Sequence, residues 1–402
     1  MTFLRYLLLF FMWSLIGENA FSQVDKIPDE VKNAHDKLQE YYEGKRLTST
    51  SLTRNDVTKN TAFLQEYYDS VTEYYRYFKS DKKIIKGVRV YTDNDAFAVF
   101  DNRDHEYTGG VRIAFITDYV GLKLISFRRD HKYLSYQSVF FGFDLYTPNV
   151  LNVNDIGDLN PIDRPFASFQ YIGRTRNIIR YDGRYRSTAE IKIGIIGGEV
   201  SRNFQRVIHR DITDSENNNG WNYQIANGGR FALQYMNNHQ WENKLGKKEL
   251  YFHYGFQYGL GWEKNYVFPI LSLTNKCFFE RNPDSAINSE NHFFGSQKWW
   301  DQIKQTVFFA VNVQPEIVFY NTMLQGYPTN NKEFVFDEGN KVEVPVINSI
   351  NHVVGKFSFS FGFRNYNSNF LFEYFFQTPE YDYAWKKKFF HRYGRISFTL
   401  NI

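Results

Sequence analysis

The sequence predicts an all-β fold, an antiparallel transmembrane β-barrel of about 12 strands preceded by a small N-terminal α-helical extension. Three observations predict it. The chain carries 40 Phe and 30 Tyr among 402 residues. A soluble core rarely needs so many rings, whereas an outer-membrane barrel uses them as interfacial girdles and lipid-facing side chains. From Gly87 onward the apolar residues recur with a period of two, the period of a strand. After the N-terminal run there is no stretch of about 18 apolar residues, so no helix can span a bilayer. A closed barrel is the other way for a backbone to cross lipid. The mean hydropathy of −0.51 suits a barrel with a polar lumen and polar loops.

The elements follow in order. Arg5, the apolar run Tyr6–Ile16 and the small-residue site Ala20-x-Ser22 resemble a secretory signal peptide over residues 1–22, cleaved before Gln23. Its removal loses one Arg and one Glu, which leaves the formal charge at +4. No Cys follows the run, which argues against a lipoprotein anchor. Over residues 23–86 the period is helical: Val31, Ala34, Leu38 and Tyr41 form one stripe, and Phe63, Tyr67, Val71, Tyr74 and Phe78 form another. The barrel then occupies 87–402. Its expected strands are 87–99, 107–127, 133–147, 165–180, 184–197, 224–241, 248–263, 265–280, 305–322, 343–365, 368–378 and 388–402. In the last, Ile396, Phe398, Leu400 and Ile402 alternate with Ser397, Thr399 and Asn401, as expected of a closing strand.

Connection lengths alternate. Those at 129–132, 181–183, 243–247 and 365–367 are short; those at 100–106, 148–164, 198–223, 323–341 and 379–387 are longer. Barrels of this kind have short periplasmic turns and long outer loops. Residues 280–304 break the pattern as a long periplasmic connection. Parity places the extension 23–86 in the periplasm and gathers the polar clusters of the first three long loops at the outer end.

Those clusters hold the residues able to do chemistry. The stretch Thr92–Gly110 brings Asn94 and Asp95 to one edge of a hairpin and Thr108-Gly109-Gly110 to the other. Side-chain oxygens plus loop carbonyls suit a hard cation such as calcium. The plainer alternative is a turn signal followed by a tight strand start. His209 lies in the third long loop, and histidine is the side chain best placed for proton transfer near neutral pH. There is no Gly-x-Ser-x-Gly elbow, no His-Glu-x-x-His and no Gly-rich phosphate loop. The single Cys, Cys277, excludes an intrachain disulfide. What remains is oxygen ligands and one histidine, a combination suited to activating water against an ester.

Ordered motifs then resemble the lipid A 3-O-deacylases, a family of outer-membrane β-barrel enzymes. They are Asn94-Asp95, Asp104-x-x-Tyr107-Thr108-x-Gly110, Tyr146-Thr147-Pro148, Asp163-Arg164-Pro165-Phe166-Ala167, Gly194-Ile195-Ile196-Gly197 with Gln205-x-x-x-His209, and Gly220-Trp221-x-x-Gln224. The resemblance implies a calcium-dependent hydrolase of the acyl ester at the 3-position of lipid A, acting at the outer-leaflet side of the barrel wall. It implies Asp95 and Asn94 at the calcium and oxyanion side, Thr108 beside them, and His209 as the base. Gln205 is a candidate to orient that base, and Asp104, Asp163 and Arg164 are expected behind the site. The chain departs from the family pattern at His105, usually Arg, and at Gly198, usually Pro. It also has no Lys in 149–153, where characterised members use one; this bears on the lipid contact more than on hydrolysis.

Lipid A or lipopolysaccharide is the expected partner, the bacterial outer membrane the expected location and a monomer the expected state; nucleic acid is not expected. An outer-membrane phospholipase and a catalytically silent channel or scaffold are the alternatives.

Overall fold

The computed structural model describes residues 85, 87–94, 109–117, 133–148, 153, 156–180, 185–199, 203, 219–246, 250–275, 307–329, 332–337, 340–364, 368–382 and 391–401. The expected signal peptide and helical extension lie outside them.

Twelve strands close into one antiparallel barrel. They are β1 (Gly87–Asn94), β2 (Gly109–Thr117), β3 (Tyr133–Tyr146), β4 (Ala167–Arg180), β5 (Tyr185–Ile196), β6 (Arg230–Lys244), β7 (Tyr251–Gly261), β8 (Lys264–Thr274), β9 (Val307–Asn321), β12 (Val353–Arg364), β13 (Ser368–Gln377) and β14 (His391–Asn401). The last strand closes on the first, with Gly87 opposite Asn401 and Asn94 opposite Gly394. Every neighbour in sequence is a neighbour in the wall, except that a two-stranded hairpin of β10 (Glu333–Asp337) and β11 (Asn340–Val344) stands between β9 and β12.

Alternation decides which way each side chain faces. Ile172 is 64% exposed, Phe319 60% and Phe231 59%. So large an apolar surface fits lipid and not water. The alternate positions point inward and are polar: Ser358 and Ser360 receive the Asn312 side-chain amide at 3.0 and 3.2 Å. Charges pair along chords of the lumen. Arg112 on β2 reaches Glu190 on β5 at 2.6 Å and lies 3.3 Å over the Phe140 ring. Gly173 makes room for that ring, since a Cβ there would meet it at 2.3 Å. Outward aromatics cluster near the end that holds Gly87 and Asn401, where Trp241 stacks on Tyr254 at 6.0 Å and tilts against Tyr185 at 5.6 Å. This is a girdle.

Three expected elements need correction. The strand expected at 224–241 begins only at Arg230, because Asn219–Tyr223 forms a 3-10 turn and Ala226 has a positive φ of 55°. The strand expected at 343–365 is two elements, the end of β11 and β12 from Val353. The connection expected over 323–341 is not plain loop. It holds the helical turn Thr322–Gln325, capped by the Asn321 side chain, and then the β10–β11 hairpin.

Candidate active site

The ends of β1, β3, β5, β9 and β13 all lie at one end of the barrel, opposite the Gly87–Asn401 end. Across this rim the register forms a continuous row. Asp93 faces Gly110, Gly110 faces Asp144, Asp144 faces Phe169, Phe169 faces Ile196 and Ile196 faces Arg230. The described parts of the predicted motifs thus share one level of one wall, β1 to β6.

Asn94 ends β1. Alternation places it on the face of Val90, which is 40% exposed, the face that meets lipid. Its neighbour Asp93 points inward and binds Arg395 at 2.7 Å. Gly109 presses on this strand end: a Cβ there would lie 2.8 Å from the Asp93 carbonyl and 3.1 Å from Asn94 Nδ2. Gly109 and Gly110 thus lie against the end of β1. Asp95, Asp104, Thr108, Gln205 and His209 lie outside the described residues.

At the same end of the barrel, three motif fragments pack on one another. Phe166 and Trp221 meet at 5.3 Å, edge to face. Ser168 Oγ donates to Gln224 Oε1 at 2.9 Å. Ile225 N–H donates to the Phe166 carbonyl at 2.9 Å, and Gly197 N–H to that of Ser168 at 3.0 Å. Leu145, Val153, Leu159 and Tyr223 complete the apolar cluster, together with Val335 and Val344 of the hairpin. The hairpin therefore leaves its own side of the barrel and roofs the motif fragments. A buried cluster of this size fixes the bases of the second and third long loops.

Asp163 and Arg164 are buried. Asp163 Oδ1 accepts from the Tyr381 hydroxyl at 2.8 Å and from Arg164 N–H at 2.9 Å. The Arg164 guanidinium lies 4.7 Å over the Tyr146 ring. Together they tie the second long loop to the β13–β14 connection. The same connection holds Glu380, 3.4 Å from Lys264 Nζ. Burial pushes the Glu380 carboxyl up, but the charges of Lys264, Arg164 and Lys356 outweigh it and hold it below the usual carboxylate range.

Below the rim the lumen encloses a cavity of about 600 Å³ lined by Asp144, Lys192, Glu263, Lys264, Glu316 and Arg395 among others. Lys192 sits 3.0 Å from Glu263 and 3.8 Å from Asp144; Glu316 sits 3.0 Å from both Lys264 and Lys356. Such a lining is hostile to acyl chains. Asn94, by contrast, stands on the outward side of the wall.

Sequence reasoning missed Glu333, Tyr381 and the hairpin. The pattern Glu333–Asp337, Glu338-Gly339, Asn340–Val344 carries a signal, since two alternating runs flank a Gly-containing turn.

A family model described as outer membrane protein LpxR matches residues 72–402. Among solved structures, LpxR from Salmonella typhimurium superposes with a TM-score of 0.56 at 16% identity, covering 79% of this chain and 100% of that one. The beta domain of the Bordetella autotransporter BrkA gives 0.38 at 7% identity, covering 79% and 100%. The translocator domain of the autotransporter NalP from Neisseria meningitidis gives 0.35 at 9%, covering 87% and 98%. These last two are too distant to bear on the site. No curated protein matches in sequence.

Proposed function

The chain belongs to the LpxR family of lipid A 3-O-deacylases in the bacterial outer membrane, and from that premise we propose that it is a calcium-dependent esterase removing the 3-O-linked acyl chain of lipid A. His209 is the general base. Asn94, Asp95 and Thr108 form the calcium and oxyanion side. The observation that carries this reading is the position of Asn94: a polar side chain on the outward side of β1, at the rim, one residue beyond Asp93, which begins the row that runs across to the motif strands.

The donor set suits calcium. Asn94 and Asp95 offer hard oxygens, the Asp93 carbonyl lies against Gly109, and Thr108 precedes that glycine. Calcium held by these residues would supply a fixed positive charge that stabilises the charge developing on an ester carbonyl oxygen. Neutral His209 takes a proton from water as the water oxygen bonds to the ester carbon. The Asn94 amide N–H groups face the negative charge that forms on the carbonyl oxygen; a donor of this type is worth roughly 10²–10³ in rate. Collapse breaks the bond to the sugar 3-oxygen, which takes the proton back from the His209 imidazolium. The products are a free fatty acid and lipid A with a 3-hydroxyl. The base contributes roughly 10²–10⁴.

The connection carrying His209 leaves at Gly197, four strands along the wall from Asn94. At about 4.8 Å per strand this is roughly 20 Å, within reach of a loop of this length. The test is lipid A mass spectrometry on cells expressing wild type and His209→Ala, with and without chelator in membrane preparations. A second reading, hydrolysis of outer-leaflet phospholipids, is favoured by the missing Lys in 149–153. Phospholipid analysis of the same cells separates the two.

A further inference from the structure

Glu333 opens β10, on the connection that leaves β9. It is 1% exposed. One carboxylate oxygen accepts from Tyr327 N–H and the other from Ala226 N–H at 3.3 Å. The Arg230 guanidinium lies 3.7 Å away. Ala226 has a φ of 55°, alone in this among the non-glycine residues described, a region that a Cβ makes unfavourable. Behind it stands Gly197, with a φ of 75°. A Cβ there would lie 2.2 Å from the Ala226 carbonyl oxygen and 2.3 Å from that of Ile225. The point where the β5–β6 connection departs and the point where it returns are therefore pressed together, and Glu333 holds the return.

We propose that Glu333 is a positioning residue: its carboxylate sets the backbone direction at Ala226 and so the placement of the connection that carries His209. The proposal rests on the reading of His209 as the base. Two observations separate it from plain loop packing. The hairpin is already docked by Val335 and Val344 on the cluster of Phe166, Trp221 and Tyr223, so docking does not need the charge. And two N–H donors converge on one side chain, which only a carboxylate can satisfy with both oxygens; an amide has a single acceptor oxygen. Glu333→Gln would turn an NH₂ group toward one of the donors.

The test uses the purified full chain in detergent, with lipid A as substrate, and compares wild type, Glu333→Gln, Glu333→Asp, His209→Ala and, as a control, Lys332→Gln, whose pair with Glu343 is exposed. Three readouts are taken: folding by the electrophoretic shift of heated against unheated barrel, kcat and KM, and the rate of protease nicking within 198–218. Glu333→Gln is expected to fold, to lose roughly tenfold in kcat with KM within about twofold of wild type, and to be nicked faster. Glu333→Asp falls between, and Lys332→Gln matches wild type. Where His209→Ala loses kcat, a folded Glu333→Gln with wild-type kcat overturns the proposal, whatever its nicking; so does a change confined to KM. If His209→Ala keeps wild-type kcat, the base assignment itself has failed. Nicking then decides the clamp: unchanged nicking in Glu333→Gln overturns it, and faster nicking retains it.

Discussion

Glu316 illustrates what the lumen requires of a single side chain. It is 2% exposed between two ammonium groups, each 3.0 Å away. Removing the charge takes this partner from Lys356 and leaves Lys264 only Glu380, at 3.4 Å; breaking a buried pair in this way costs roughly 3–5 kcal/mol. Glu316→Gln should show that loss in denaturant unfolding of the reconstituted barrel. Gly194 makes a steric demand instead, because a Cβ there would lie 1.9 Å from the Gln170 carbonyl oxygen. Gly194→Ala should cost about 1–3 kcal/mol or more by overpacking, read by the same unfolding experiment. Glu380 gives a pH dependence. Lys264, Arg164 and Lys356 outweigh burial and hold its carboxyl below the usual range. A depressed carboxyl contributes its full stability above the unfolded value of about 4.3, and that stability is lost as pH falls through the lower folded value. The stability gap between wild type and Glu380→Gln should stay constant from about pH 8 to pH 5 and close below about pH 4.

At the scale of elements, the barrel strands were legible because each satisfies two different solvents. Lipid on one side and a polar lumen on the other leave strict alternation, as in Ile396, Phe398 and Leu400 against Ser397 and Thr399. The β10–β11 hairpin was not legible on that basis. Its apolar side packs on other loops, so its alternation is short and blended with a polar connection. The ends of β6 and β12 were misjudged for a related reason. Ile225, Ala226, Ile347 and Ile350 are buried residues outside strands, and to a pattern reader they look like strand. The motif fragments, by contrast, could be ordered in sequence, and the wall register brings their described parts together. What no pattern could supply was Glu333, an isolated acid whose partners are the backbone N–H of Tyr327, six residues away, and that of Ala226, 107 residues away. The element-level prediction is that Trp221→Ala, which empties the centre of the roofed cluster at a cost of about 3–5 kcal/mol, leaves the heat-modifiable barrel intact and lowers deacylation. Gel shift and lipid A analysis on the same preparation check both halves.

On the scale of the whole molecule, the wall and its contents argue against a pore. Arg112 and Glu190 bridge strands β2 and β5, Lys192 bridges Asp144 and Glu263, and the β9–β12 connection crosses to pack Met323 and Tyr327 on Phe169, Ile196 and Ala232. In planar bilayers the purified chain should give no stepwise conductance, and regular open-channel steps would revive the channel alternative. The barrel instead works as a rigid frame. It presents Asn94 on its lipid face at the rim and anchors, on the same wall, the connection that carries His209.

The central claim is that this rim hydrolyses the 3-O-acyl ester of lipid A through His209. Mass spectrometry of lipid A from cells expressing wild type or His209→Ala, at matched levels of folded barrel, tests it most directly. Wild type should yield lipid A lighter by one 3-linked acyl chain, and His209→Ala should leave lipid A fully acylated. Unchanged lipid A with wild type, or equal deacylation by both, would contradict the account.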